Sequence, residues 1–334
     1  MTPTRRFLLA AALAALVPVT AAHAQATMKL ASATINDVQH EWQKEFVSEM
    51  EARLPDALTL EIYPASQLGA IPRMAEGVLL GTIEAFTTPT SFVTGIDPRF
   101  QAFDVPGLFR GPEEVRAVIH DPAYRDHLET MFLDRGVRVI GAIYNSPTLL
   151  LSREPVTDIE GMEGLKVRTF ASPLQMEPMA ALGANPTPLA LSEVPVQLQS
   201  GGLDGMLAGM PILTAFKYWD TAEHVTDLDF SELVSVTLVN EAWFQSQPAE
   251  VQEAIRAAGR AAEEAVYEWG VDNVERANAL WLESGGQIHS LPGDQQAEMM
   301  EIFARTGLAA IEDQPEVVAE YERILDMLEA HRGE

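Results

Sequence analysis

The chain of 334 residues contains no cysteine. That excludes disulfide bonds, thiolate metal sites and a lipid anchor on an N-terminal cysteine, so stability has to come from packed cores alone. Positive charge is scarce: 22 lysines and arginines stand against 49 acidic residues, a formal net charge of −27. Such a surface repels nucleic acid and anionic membrane, and neither is expected as a partner. Beyond residue 24, no apolar run reaches the ~18 residues that a membrane-spanning helix needs. Phosphate loops and the GxGxxG and GxSxG motifs are also missing. His40-Glu41-Trp42-Gln43-Lys44 opens like the zinc-protease motif, but Lys44 stands where the second imidazole must be, so the pair that shares a metal is broken. No metal, no cofactor and no enzyme are therefore expected, although spacing alone does not exclude a Ser-His-Asp set assembled in space.

What is present starts with a distinctive leader. Arg5 and Arg6 precede an apolar stretch from Phe7 to about Val19, and Ala22-His23-Ala24 offers a small-residue cleavage site before Gln25. This is the pattern of a secretory signal peptide over residues 1–24, with an uncleaved signal anchor as the alternative. The arginine pair also suits twin-arginine export, and the general and twin-arginine routes stay open. The mature chain is expected in the periplasm, soluble and monomeric.

The remainder has ordinary globular composition, 47% hydrophobic and 21% charged, and is long enough for about two domains. "MKLASAT" reads as a strand, and Asn36-Asp37 can cap a helix with the stripe Val38, Trp42, Phe46 and Met50. "ALTLEIY" alternates as a strand, a helix follows that ends at Gly81, and "TIEAFTT" is the next strand. This β-α-β-α-β order predicts a mainly parallel sheet with helices on both faces. A helix is predicted from near Pro112, then strands "GVRVIGAIYN", "PTLLLSREPV" and "GLKVRTF". Ser172-Pro173 suits a helix start, Ser192 can cap "EVPVQLQSG", and "LDGMLAG" and "LVSVTLVN" read as strands. Some 35 residues of unbroken helix then begin near Pro248, roughly 50 Å at 1.5 Å per residue. A helix that long is expected to span two domains as a spine, with Gly259 and Gly270 weakening but not ending it. Helices at 294–307 and 315–331 close the chain. The expected division is residues 25–145 plus 236–270 as one α/β domain and 146–235 plus 271–334 as the other, with the ligand cleft between them.

In "GLKVRTF", residues 164–170, Lys166, Arg168 and Phe170 fall on one face of the strand. Ligands of open α/β sheets bind beyond the carboxyl ends of the strands, where Arg168 lies. A guanidinium fork fits a carboxylate there, but an interdomain or surface salt bridge is an equal reading of the residue itself.

"IYPASQLG", "FDVPGLF", "GLKVRTF", "LGANPTPLALSEVPVQLQSGGLDG" and the long helix together resemble the substrate-binding proteins of TRAP (tripartite ATP-independent periplasmic) transporters. The resemblance covers nearly the whole mature chain and is most specific from Gly164 to Gly205. It implies a periplasmic solute-binding, Venus-flytrap fold: two α/β domains of mixed sheets flanked by helices, joined by a long domain-spanning helix and closing on a small organic acid, a carboxylate or sulfonate. It implies delivery to separate membrane permease subunits. The family's strand arginine, which salt-bridges the ligand's acid group, matches Arg168. By the same analogy the cleft is lined from the first strand's exit with Asn36, from the turn after "TIEAF" with Thr88 and Ser91, and by Thr148, Ala208 and Trp219.

The chain also departs from that pattern. Some members carry a second basic residue where this chain has Thr148. Many follow the Asp-Gly of "GGLDG" with a stretch that offers a polar side chain to the ligand, where this chain has Met206-Leu207-Ala208, and Pro195 replaces a usual tyrosine. A monoanion with an apolar or hydroxylated tail fits such a site better than a dicarboxylate. Two other readings are a ligand sensor of the same fold without transport and a secreted hydrolase or lyase.

Overall fold

The computed structural model describes residues 25–333; the expected signal peptide lies outside the described residues. The first part of the chain alternates strand and helix: β1 (Ala26–Ser32), α1 (Val38–Arg53), β2 (Leu58–Tyr63), α2 (Ile71–Leu80) and β3 (Ala85–Pro89). Asp37 caps α1, its carboxylate accepting from the backbone N–H of His40 at 3.1 Å, and Val38, Trp42, Phe46 and Met50 are buried as their spacing predicts. Gly81 ends α2 in the left-handed conformation, φ 70°. Two 3₁₀ turns, Thr90–Phe92 and Pro98–Asp104, lead to α3 (Pro112–Ile119) and α4 (Pro122–Thr130).

Two long strands, β4 (Val137–Ser152) and β8 (His224–Asn240), run antiparallel along each other from Val137 opposite Asn240 to Ser152 opposite His224. Between them in sequence lie β5 (Lys166–Thr169), α5 (Pro173–Ala181), β6 (Asn185–Pro188), α6 (Val194–Ser200), β7 (Gly205–Ala208) and α7 (Met210–Ala215). After β8 come α8 (Glu241–Ser246), α9 (Ala249–Glu283), β9 (Gln287–Ser290), α10 (Gly293–Ile311) and α11 (Pro315–Gly333). One mixed sheet carries every strand in the order β2-β1-β3-β8-β4-β7-β5-β6, with β9 on β8.

The two runs "GVRVIGAIYN" and "PTLLLSREPV", read separately above, form one strand. Irregularities in register between Val139 and Gly141, Tyr144 and Ser146, and Pro147 and Leu149 absorb the break, so that Pro147 is accommodated without ending the strand. "LVSVTLVN" is only the second half of β8. The first half hides its strand character behind Asp227 and Asp229, which are exposed, while Val225, Leu228 and Phe230 are buried. Ser192 does not cap α6; it lies inside a 3₁₀ turn, Leu191–Glu193, and Glu193 occupies the cap position.

Side-chain alternation along the sheet sorts the core into four clusters, two at each end of the long strands. Leu149, Leu151, Met206 and Ala208 pack with α6 and α7 on one face, while Leu150, Val167 and Leu207 pack with α5 and α10 on the other. At the other end, Met28, Trp42, Phe46 and Ile140 pack with the first half of α9, and Phe86, Phe100, Val137 and Val139 pack with α2, α3 and α11. Helix α9 serves both ends: Ile255 and Ala262 pack near β1, Ala277 and Trp281 near β7. Its glycines are positions of close approach. A side chain at Gly259 would overlap the carbonyl oxygen of Ile140, and one at Gly270 would press on Val38. Among the described residues no helix is long and apolar enough to cross a membrane.

Candidate functional site

The strand groups at the two ends of the sheet run in opposite directions. β3 is antiparallel to β8, β8 to β4, and β4 to β7, while β1 is parallel to β3 and β5 to β7. The carboxyl ends of β1, β3, β5 and β7 therefore converge on the middle of β4 and β8. A small cavity sits there. Ala33 and Thr34 reach it from just beyond β1, Thr88 from β3, Arg168 from β5, and Ala208 from β7, with Asn145 and Leu233 supplied by the long strands. This is the place where an open α/β sheet offers a ligand the most backbone ends at once.

Arg168 is 1% exposed, the most deeply buried arginine among the described residues. Its Nε donates to the carbonyl of Leu189 at 2.9 Å and its Nη1 to the carbonyl of Leu207 at 2.8 Å. Its guanidinium carbon lies 5.3 Å from the ring centre of Phe92 and 4.8 Å from that of Phe170. These contacts explain why the segment from β6 to β7 must fold as it does. Arg168 is opposite Thr187 on β6 and Met206 on β7, so both neighbouring strands bring backbone acceptors to the guanidinium.

Among the described residues three arginines are buried. Arg125 is paired with Glu263 at 2.9 Å, and Arg138 with Glu129 at 2.9 Å and Glu241 at 2.8 Å. Among the described residues Arg168 has no carboxylate within ion-pair distance. Burial holds its guanidinium down to about 10, so it is still protonated at neutral pH. With two of the five N–H groups of an arginine committed to backbone, the remainder are free for an acceptor in the cavity.

The other polar lining groups are mostly tied to each other. Gln39 Nε2 donates to Thr34 Oγ1 and to Asp37 Oδ2, each at 3.0 Å. Asn145 Nδ2 donates to Ser235 Oγ at 2.8 Å, and Asn145 Oδ1 accepts from Ser146 Oγ at 3.3 Å. Thr88 Oγ1 is buried and has no partner. The rest of the wall is apolar, with Ile71, Phe92, Phe170, Leu191, Ile212 and Leu233 contributing most of it.

Of the residues singled out by sequence, Arg168, Thr88 and Ala208 are brought together on this wall. The structure puts the other four elsewhere. Thr148 shares a hydrogen bond with Ser231 Oγ at 3.0 Å, and Ser91 donates to Asp104 Oδ1 at 2.6 Å. Asn36 turns the chain with φ 58° and lines a separate surface depression with Pro211 and Arg276. Trp219 packs edge-on against Trp281, ring centres 6.0 Å apart. Gln39, Asn145, Phe92 and Phe170 were not singled out. Asn145 had a readable signal, since it interrupts an otherwise apolar strand. Phe170 lies just beyond the end of β5 and packs in the same cluster as Val167, so strict alternation misplaces it.

Residues 31–310 match the family described as bacterial extracellular solute-binding protein, family 7. The chain is similar to the 2,3-diketo-L-gulonate-binding periplasmic protein of Escherichia coli, 27% identical over 220 residues, which cover 66% of this chain and 67% of that one. It is similar to the C4-dicarboxylate-binding periplasmic protein of Rhodobacter capsulatus, 26% identical over 251 residues and covering 74% of each. Its fold is that of a TRAP periplasmic solute-binding protein from Shewanella oneidensis solved with bound succinate, with a TM-score of 0.84 and 22% identity. The match covers 91% of this chain and all of that one.

Proposed function

Because the chain belongs to family 7 of the bacterial extracellular solute-binding proteins, the substrate-binding proteins of TRAP transporters, we propose that it captures a small organic anion in the periplasm and passes it to a TRAP-type membrane permease. The observation that carries the ligand class is Arg168: a fully buried guanidinium, pre-oriented by two backbone carbonyls and facing a cavity, with no carboxylate of its own. An ion left unpaired in the interior is costly, and an incoming carboxylate or sulfonate supplies the missing partner. Thr88, which lines the same cavity with a buried hydroxyl that has no partner, is a second candidate donor to the acid. The relatives named for 2,3-diketo-L-gulonate and C4-dicarboxylates are receptors for carboxylates, which supports the same class here.

Capture needs a way in, since the cavity is enclosed by both strand groups. The division proposed is residues 25–145 plus 236–270 against 146–235 plus 271–334, moving as two bodies about the long strands. The irregularities in β4 at Tyr144/Ser146 and Pro147/Leu149 fall at that junction and give the strands a place to bend. Among the described residues no nucleophile and base line the cavity together, which supports a receptor rather than an enzyme.

A thermal-shift screen against carboxylates and sulfonates tests the reading. A binding acid raises the unfolding midpoint as its concentration exceeds Kd, and mass spectrometry of the recovered acid should find it unchanged. Small-angle scattering should show a smaller radius of gyration with the acid than without it. A chain that no organic anion stabilises, or that returns a chemically altered acid, refutes the proposal.

A further inference from the structure

The polar groups lining the cavity restrict what the rest of the ligand can be. Among the described residues, Arg168 is the one charged side chain on the wall. Both N–H groups of the Gln39 amide are spent on Thr34 and Asp37. Asn145 donates one amide N–H to Ser235 and accepts from Ser146, which leaves its second N–H. Apart from the guanidinium, the buried group left without any partner is Thr88 Oγ1. Facing these are the side chains of Ile71, Leu191, Ile212 and Leu233, with Phe92 and Phe170 forming the wall next to the guanidinium. At position 208, beside the carbonyl of Leu207 that holds Arg168, there is an alanine methyl and no donor.

Resting on the anion-clamp reading above, we propose that the ligand is a monocarboxylate with a compact apolar body, branched aliphatic or aromatic, and that the wall selects against dicarboxylates and polyhydroxylated acids. A second carboxylate would enter a cavity with no second cation and would be buried unpaired. The free donors on Arg168, Thr88 and Asn145 are few, and each hydroxyl of a sugar acid beyond them would lose its water without gaining a partner, which weakens binding by roughly tenfold per group. An apolar body instead gains from every wall residue it covers.

The test is isothermal titration of the full mature chain with phenylacetate, 4-methylvalerate, succinate and D-glucuronate, repeated on Arg168→Ala and Leu233→Asn. Expected is binding of phenylacetate or 4-methylvalerate at least about 100-fold tighter than succinate or D-glucuronate. Arg168→Ala should weaken that binding by about 30-fold or more. Leu233→Asn should weaken the apolar acids by about tenfold or more and narrow the gap to the polar ones. Succinate or D-glucuronate binding more tightly than the apolar acids, and depending on Arg168, overturns the apolar body while leaving the clamp standing. Apolar acids that bind Arg168→Ala as well as wild type overturn the clamp and with it this inference. If none of the four binds the folded chain, both fall.

Discussion

Replacing Arg168 by alanine removes the one charged side chain that the described residues place on the cavity wall, and its consequences can be worked from the contacts. In the complex the guanidinium is a buried partner of the acid group. Truncating one member of such a pair typically costs about 2–5 kcal/mol, which is roughly 30-fold to several thousand-fold in Kd. Arg168→Lys should recover only part. An ammonium has three donors on one atom, and two of them are needed to replace the bonds to Leu189 and Leu207. The parallel fork is then lost. At about 1.5–3 kcal/mol for a hydrogen bond to a charged group, the lysine variant should bind roughly 10- to 150-fold more weakly than wild type. The unliganded alanine variant should stay folded. Leu189 and Leu207 lose donors, but the cost of an unpaired buried charge is removed with them, and the two effects are of similar size, a few kcal/mol each by order of magnitude. Calorimetric titration with the acid that gives the largest thermal shift, together with circular dichroism of the unliganded variants, checks each part. A folded Arg168→Ala protein with wild-type affinity would refute the reasoning, because the guanidinium would then be structural and the acid held elsewhere.

How far the sequence carries towards this site differs from residue to residue. Arg168 was legible as a residue near the end of a strand because "GLKVRTF" carries a strand pattern by itself, while the clamp role came only from the family resemblance. The helix α9 was legible as one element of 35 residues because its glycines sit in a long pattern of good helix formers. Their reason was not legible: Gly259 is required by the backbone of Ile140, which is over a hundred residues away in sequence. The same limit explains the split reading of β4. Asn145-Ser146-Pro147 looks like a break when read locally, whereas Asn145 and Ser146 are buried by partners on β8 and by the cavity. Sites at the junction of two strand groups draw their walls from many short segments. Each contributes one or two residues whose local pattern is that of ordinary core, as with Ile71, Ile212 and Leu233. Thr148 and Ser91 show the converse. Their hydroxyls suit a ligand by chemistry, but the fold has already given them partners in Ser231 and Asp104.

Three further perturbations test the structure away from the clamp. Thr88→Val, nearly isosteric, removes a buried hydroxyl that has no partner in the unliganded chain; it should leave thermal stability unchanged or slightly raised and weaken the acid about tenfold, read by titration. Gly259→Ala gains about 1 kcal/mol of helix propensity, but its methyl meets the Ile140 carbonyl, which cannot rotate away. Urea unfolding should show a net loss of about 1–3 kcal/mol, and a stabilised variant would contradict the close approach of α9 to β4. The last concerns pH. Asp104 is 3% exposed, accepts from Ser91 through Oδ1 and leaves Oδ2 without a partner, and burial pushes its carboxyl up to about 7. In the unfolded chain an aspartate titrates near ~3.9. Below that pH both states are protonated and the group has no effect. Between about 4 and 7 the unfolded chain releases its proton while the folded chain keeps it, so this group lowers stability as pH rises; above about 7 the loss is complete and constant. Asp104→Asn keeps the acceptor for Ser91 and removes the titration. The melting temperature of the variant relative to wild type should therefore climb across that window and level off above it. Glu232, which burial also pushes to about 7, is present in both proteins and cancels in the difference. A difference that does not change with pH would show that Asp104 is not held protonated by its burial, and that water or a cation reaches Oδ2 in solution.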